Sequence, residues 1–229
     1  MIKSFLILII SSISLFSSQQ IILVVADDFN TSHAKLEFFD GTKRVLFFNV
    51  NIGKNGLGWG IGEENLTQNQ YEPLKYEGDK KAPVGVFKLT DIFGYDFSAN
   101  SNMPYLHTSK KLICVDDSKS PFYNHIIQAR GDEKSFEYMK RQDKQYQLGI
   151  VVAHNKNAVS QRGSCIFLHV EKNDNASTVG CTSMKYENMK KIINRLDKDK
   201  NPILIQIPKS TSKEILTLYP QLKESQLLR

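Results

Sequence analysis

The stretch FLHVEKNDNASTVGC, residues 167–181, places a histidine and a cysteine at the two ends of a polar loop. His169 closes an apolar run, and Cys181 follows a glycine. Such a pair serves in a metal site, in a disulfide, or as a nucleophile with its base. If SCIFLHV forms a strand, Cys165 and His169 lie roughly 13 Å apart, too far to share a zinc ion. We therefore expect no metal site.

The nucleophile hypothesis fits the residues better. A helix is predicted to begin near Met184, which places Cys181 beside a helix N-terminus, where the pKa of a thiol is lowered. Gly180 allows the close backbone approach that an oxyanion-binding N–H needs, and His169 on a neighbouring strand could accept the thiol proton. The alternative is a buried, unreactive cysteine beside a histidine that serves only the packing.

The N-terminus has the pattern of a secretory signal. Lys3 is followed by the apolar run SFLILIISSISLF and by the small residues Ser17 and Ser18, which predicts residues 1–18 as a cleaved signal peptide. The run is too short to span a bilayer comfortably, although an uncleaved anchor is the alternative. We expect an exported protein of the periplasm or cell wall, with no stable membrane span after cleavage.

The cysteine count bears on the same site. Three cysteines in an oxidising compartment leave at least one thiol unpaired within the chain. Cys114 and Cys165 could pair and leave Cys181 free, but the sequence alone does not establish that pairing.

Composition and charge indicate what kind of molecule the protein binds. The 229 residues are 41% hydrophobic, enough for one core, and the formal charge of +6 suits an anionic polymer. The lysines are scattered and no Arg-rich run occurs, so we expect no nucleic-acid partner.

The periodicity of the chain predicts a mainly β fold with a few helices (α+β). IILVVADD is typical of a buried strand, AKLEFFD and KRVLFFNVNIG of a hairpin around Gly41, and VFKL of a short strand. Residues 100–120 look irregular, SPFYNHIIQA leads into a strand, and NPILIQIPK closes the sheet. Helices are predicted in EKSFEYMKRQDK, in MKYENMKKIINRLDK and in the tail. We expect one domain over residues 19–208 and a peripheral helix or tail over 209–229.

Several blocks together resemble a known family. GSCIFLHVEKNDNASTVGCTSM is similar to the signature of the L,D-transpeptidase catalytic domain (YkuD) family, a histidine, a short loop and then Ser/Thr-x-Gly-Cys. YEGDKKAPVGVFKLTDIFGY is similar to the family's Gly-Asp-x-x-Thr-Pro-x-Gly-x-Phe segment. VDDSKSPFYN and YQLGIVVAHN resemble further blocks of the branch that reads Gly-Ser-x-Ile-Phe-Leu-His. The resemblance covers about residues 21–207, in the right order.

This resemblance implies a curved β-sandwich and a cysteine enzyme of peptidoglycan that needs no cofactor. Cys181 is expected to attack the carbonyl of the third residue of a tetrapeptide stem, while His169 acts as base and then as acid. The N–H groups around Gly180 and Cys181 are expected to hold the oxyanion. An amine acceptor makes the enzyme an L,D-transpeptidase, and water makes it an L,D-carboxypeptidase. The residues expected to line the substrate site are His154, Asn155, Thr178 and Thr182.

The sequence departs from the family's common pattern at two positions. Val179 stands where many members have a second histidine, and Ser183 stands where they often have an arginine. Without that arginine, no residue is assigned to bind the substrate carboxylate. No acidic partner of His169 is marked by spacing, and a backbone carbonyl could orient the ring instead.

Two other classes remain open at this point. A sortase-like enzyme needs an arginine on a later strand, whereas Arg195 lies in a predicted helix. A catalytically silent wall-binding module on the same fold needs no thiolate, so its thiol should have an ordinary pKa and reactivity.

Overall fold

The computed structural model describes residues 19–229, so the predicted signal peptide lies outside the described residues. Strands make up 36% of the described residues and helices 11%, which confirms the mainly β prediction. The strands are β1 (Gln20–Ala26), β2 (His33–Asp40), β3 (Lys43–Asn51), β4 (Leu57–Trp59), β5 (Ala82–Gly94), β6 (Tyr105–His107), β7 (Leu112–Val115), β8 (Ile126–Gln128), β9 (Phe136–Tyr138), β10 (Leu148–Val152), β11 (Phe167–Val170), β12 (Thr182–Met184) and β13 (Ile203–Pro208). The α-helices are α1 (Tyr186–Ile193) and α2 (Ser212–Leu218), and short 3-10 turns span Lys198–Lys200, Lys209–Thr211 and Pro220–Leu222.

Ten of the strands form one strongly curved sheet. Its order is β10-β11-β12-β3-β2-β1-β13-β5-β4, with β6 paired to β5. The long strand β5 pairs with β13 over Gly85–Lys88 and with β10 over Leu89–Gly94, so the sheet bends back on itself. Strands β8, β7 and β9 form a separate three-stranded sheet. Direct pairing places β11 next to β12, and Cys181 immediately precedes β12.

The central strands follow from their residue types. Every residue of β1 is buried, and β1 lies between β2 and parallel β13, which explains its nearly uninterrupted apolar sequence. Gly41 has φ +63° in the turn between β2 and β3, a conformation that glycine adopts without steric cost. The predicted buried strand, the hairpin and the closing strand are all confirmed.

Two local predictions were wrong, and a third gave the right element with too short a range. The segment EKSFEYMKRQDK contains β9 rather than a helix, because pairing of Val115 with Phe136 and of Ile113 with Tyr138 overrides its weak helical pattern. Residues 100–120 are not wholly irregular, since β6 and β7 lie there. The short strand VFKL is the middle of β5, which has 13 residues.

The two C-terminal helices are present, and both are shorter than the segments predicted. In α1 the periodic residues Met189, Ile192 and Ile193 are buried. The tail after α2 also packs on the sheet: Ser225 donates to Glu37, a carboxylate with no exposed surface. Residues 209–229 therefore contribute buried contacts, and their separation from the domain stays a prediction.

Candidate active site

The nucleophile and the base predicted from the sequence lie on segments that are neighbours in space. Cys181 immediately precedes β12, which pairs in parallel with β11, so that His169 lies opposite Ser183. Cys181 and His169 are 5% and 4% exposed. The Phe167 N–H donates to Cys181 Sγ at 3.3 Å, and Sγ lies 3.5 Å from the Cys165 carbonyl oxygen. Pairing of the two strands therefore brings together groups that are twelve positions apart in the chain.

The predicted helix N-terminus beside Cys181 is wrong. The strand β12 follows the cysteine, and α1 begins only at Tyr186. Burial raises the pKa of the Cys181 thiol to about 12, and the nearby carboxylate of Glu137 adds to the rise. Cys181 is consequently a protonated thiol at neutral pH and needs a base to become a nucleophile.

The ring of His169, the predicted base, is oriented by a backbone hydrogen bond. Its Nδ1 lies 2.8 Å from the Val170 carbonyl oxygen, so in the neutral ring Nδ1 carries the proton and Nε2 the lone pair. The backbone carbonyl thus takes the orienting role for which no acidic residue was found. Burial lowers the pKa of His169 to about 4, which keeps the imidazole neutral and able to accept a proton.

Two residues that the sequence did not mark complete the surroundings of this pair. The ring of Tyr146 meets the ring of His169 edge-on with centroids 5.2 Å apart, and its hydroxyl bonds Glu137 Oε2. Tyr146 and Cys181 belong to one buried cluster, and burial raises the pKa of Tyr146 well above its usual value.

Glu137 and Arg141 line a surface groove of about 950 Å³, which reaches this cluster through Glu137. Tyr146 opens the quoted block YQLGIVVAHN, but no spacing rule links it to Cys181.

The turn before the cysteine is fixed by Thr178. The Gly180 N–H donates to Thr178 Oγ1 at 3.1 Å, and that hydroxyl donates to the Cys181 carbonyl at 2.6 Å. Gly180 has φ +151°, which a residue with a side chain rarely adopts. The Thr178 N–H donates to the Ile52 carbonyl, and the Thr178 carbonyl accepts from the Lys54 N–H. The Gly180 N–H is thus engaged with Thr178, and its role at an oxyanion stays a prediction.

Thr182 and Asn155 make internal hydrogen bonds. The Thr182 hydroxyl donates to Gln206 Oε1 at 2.6 Å inside the core. Asn155 has no exposed surface. Its Nδ2 donates to the carbonyls of Val159 and Gly163, and its Oδ1 accepts from the Val159 N–H, which fixes the loop between them. Both side chains position backbone near the site, and their contact with a substrate stays a prediction.

His154 is buried without a polar partner. It is 1% exposed, and neither ring nitrogen has a hydrogen-bond partner within residues 19–229. A Cβ placed on Gly60 would lie 3.0 Å from His154 Nε2, and one on Gly163 would lie 3.1 Å from its Cε1, so the ring fits tightly between two glycines. Burial, with Lys75 as a smaller cause, lowers the pKa of His154 to about 3.

A disulfide lies beside Cys181. Cys114 of β7 and Cys165, which precedes β11, are joined with an S–S distance of 2.06 Å. Of the three cysteines, all within the described part of the chain, Cys181 alone is free. The disulfide joins the three-stranded sheet to the segment that packs on Cys181. Because the sulfur of Cys165 is bonded to Cys114, Cys165 is not available as a metal ligand.

Replacing Cys114 and Cys165 together by alanine should lower the free energy of unfolding by about 4 kcal/mol, the loop-closure value for cysteines separated by 51 positions. Urea denaturation of the oxidised protein and the double variant measures this loss. Dithiothreitol should have the same effect on the natural sequence and on Cys181→Ala, which keeps the disulfide. A loss below about 1 kcal/mol would show that the disulfide does not constrain the unfolded chain in this way.

The fold and the site define a curved β-sheet protein with a buried cysteine–histidine pair, an arrangement that suits covalent catalysis. Residues 21–205 match the L,D-transpeptidase catalytic domain (YkuD), and the chain belongs to this family. Membership supports an enzyme of the L,D-transpeptidase family.

Two solved structures are similar to the chain. The helical cell shape determining protein Pgp2 from Campylobacter jejuni has 13% sequence identity and a TM-score of 0.38, with 82% of this chain and 48% of Pgp2 covered. A lysine-to-alanine mutant of Pgp2 gives the same identity, TM-score and share of Pgp2, with 83% of this chain covered. The chain therefore spans about half the length of the solved structures it matches. No curated protein matches the chain significantly. Within residues 19–229, no helix is long and apolar enough to cross a membrane.

Proposed function

We propose that this protein is an exported cysteine acyl-transferase of peptidoglycan stem peptides, an L,D-transpeptidase. The observation that carries the proposal is the pairing of β11 with β12, which sets a free cysteine beside a strand that carries a buried, neutral histidine. Family membership supplies the substrate class. The predicted signal peptide supports a location in the periplasm or cell wall.

The reaction has two acyl transfers. His169 Nε2 accepts the proton of Cys181, the sulfur attacks the carbonyl carbon of the third stem residue, and the C–S bond forms. The C–N bond to the terminal D-alanine then breaks, and His169 returns the proton to the leaving amine. An amine of a second stem next attacks the thioester and loses a proton to His169. The C–N bond forms, the C–S bond breaks, and His169 returns the proton to the sulfur of Cys181. Because the thiol is protonated at rest, proton transfer to His169 accompanies the attack.

Incubation with disaccharide-tetrapeptide fragments, followed by mass spectrometry, tests the proposal. We expect release of D-alanine and a product that joins the third residues of two stems, with neither product formed by Cys181→Ala. A second variant, Cys181→Ser, keeps the size and polarity of the side chain and should be nearly as inactive, since an alkoxide is far harder to form than a thiolate.

Other outcomes overturn stated parts of the proposal. Release of D-alanine with tripeptide as the sole other product would replace the transpeptidase by an L,D-carboxypeptidase. No turnover and no acyl adduct on Cys181 in a folded protein would favour the silent wall-binding module.

A further inference from the structure

A buried lysine lies under the turn that carries the nucleophile. Lys75 is 3% exposed, which is unusual for a lysine. Its ammonium donates to the Tyr76 carbonyl and to Asp79 Oδ1, both at 2.6 Å. An ammonium has three N–H groups, so one is left for a further acceptor. The reaction described above makes no use of this residue.

The side chain of Lys75 packs against two glycines, Gly180 and Gly163. A Cβ placed on Gly180 would lie 3.9 Å from Lys75 Nζ, so the ammonium faces the residue that precedes Cys181. A Cβ on Gly163 would lie only 3.0 Å from Lys75 Cε, so a side chain there would press on the buried stem. The lysine is thus enclosed and cannot move away into solvent without disturbing its neighbours.

The charged and titratable groups around Cys181 differ in their effect on its negative charge. The Glu137 carboxylate opposes a thiolate, whereas the Lys75 ammonium, the Phe167 N–H and the Tyr146 hydroxyl favour it. His169 and His154 are neutral because they are buried. Lys75 is therefore the cation that favours the thiolate, and Asp79 partly offsets its charge.

We propose that Lys75 is a positioning residue whose buried ammonium stabilises the negative charge that forms on Cys181 and on the adjoining turn. The inference rests on the proposed function for its place in the reaction. The sequence assigned stabilisation of the thiolate to a helix N-terminus, which the structure does not place beside Cys181. Lys75 supplies that stabilisation instead. In a low-dielectric interior a single fixed charge near the sulfur has a larger effect than it has in water.

The rate of Cys181 alkylation by iodoacetamide, followed by intact mass spectrometry from pH 6 to 10, tests the inference on the full chain. Lys75→Met should slow alkylation about tenfold at pH 8, equivalent to one pKa unit, and Lys75→Arg should recover part of the rate. Asp79→Asn removes the opposing carboxylate, so it should leave the rate unchanged or increase it. The pair Lys200 and Asp40, bonded at 2.8 Å away from Cys181, supplies matched controls, Lys200→Met and Asp40→Asn.

Opposite effects of Lys75→Met and Asp79→Asn separate electrostatics from a structural ion pair. If the ion pair only holds the loop, both changes loosen it and both accelerate alkylation. Rates that move together, or a Lys75→Met rate equal to that of the natural sequence, would overturn the inference. Thermal melting identifies a variant that fails to fold, in which case Lys75→Arg and Asp79→Asn still give the comparison.

Alkylation requires no stem peptide, so the two proposals can fail separately. If Cys181→Ala abolishes turnover while Lys75→Met leaves alkylation unchanged, only the role of Lys75 is lost. If Cys181→Ala retains turnover while Lys75→Met slows alkylation, only the proposed function is lost.

Discussion

Replacing His169 with alanine is expected to lower the rate of D-alanine release from a tetrapeptide stem by about 10²- to 10⁴-fold, the range found for loss of a general base. The reason is the protonation state of the nucleophile. The pKa of Cys181 is raised to about 12, so almost no thiolate exists at pH 7 and the attack depends on proton transfer. Initial rates by mass spectrometry measure the effect. His107→Ala is the matched control, because His107 also places Nδ1 on a backbone carbonyl but is exposed.

The pH dependence of the natural sequence checks the same argument. With the pKa of His169 lowered to about 4, the base is available above that pH, and the thiol remains protonated up to about pH 12. The rate should therefore fall below about pH 4 and stay level from pH 5 to 9. A bell-shaped profile centred between pH 6 and 8 would instead indicate a resting thiolate–imidazolium pair and would contradict this account.

Local patterns were sufficient to predict much of the sheet and to select Cys181 and His169 as candidates, whose catalytic roles stay a prediction. In SCIFLHV, Ile166 and Leu168 lie in the main core, whereas Cys165 and Phe167 lie in the cluster with Cys181, which is the alternation of a strand. The uninterrupted apolar run of β1 predicted its burial.

The parts that could not be predicted depend on contacts distant in sequence. Tyr146, Glu137 and Lys75 approach Cys181 only after strands far apart in the chain have paired, and no spacing rule describes that. The error at the helix N-terminus has a local cause. β12 has three residues, too few for a period-2 pattern to appear, so the periodicity of α1 seemed to begin immediately after the cysteine.

The second large effect concerns stability in acid. His154 has its pKa lowered to about 3 in the folded protein, below the ordinary value of 6.5, because burial disfavours its charged form. Between pH 6.5 and 3 the unfolded chain therefore binds a proton that the folded protein does not. Stability from this histidine is complete above pH 6.5 and is lost as the pH falls toward 3. The loss reaches on the order of 3 kcal/mol at pH 4.

His154→Leu should remove that part of the acid sensitivity. Leucine fills a similar volume beside the Phe87 ring, leaves no unpaired polar atom and does not titrate. Urea denaturation at pH 7 and pH 4 gives the loss of unfolding free energy on acidification, which should be smaller in the variant by on the order of 3 kcal/mol. His107→Leu, at an exposed histidine, should leave the loss unchanged.

An equal loss in His154→Leu and in the natural sequence would mean that the His154 ring gains a proton in the folded protein as easily as in the unfolded chain. The expected result has a use beyond stability, because His154 and His169 both become protonated in the acid range. A variant that remains folded at pH 4 separates unfolding from loss of the base. Any remaining fall of activity in that variant can then be assigned to protonation of His169, whose pKa is lowered to about 4.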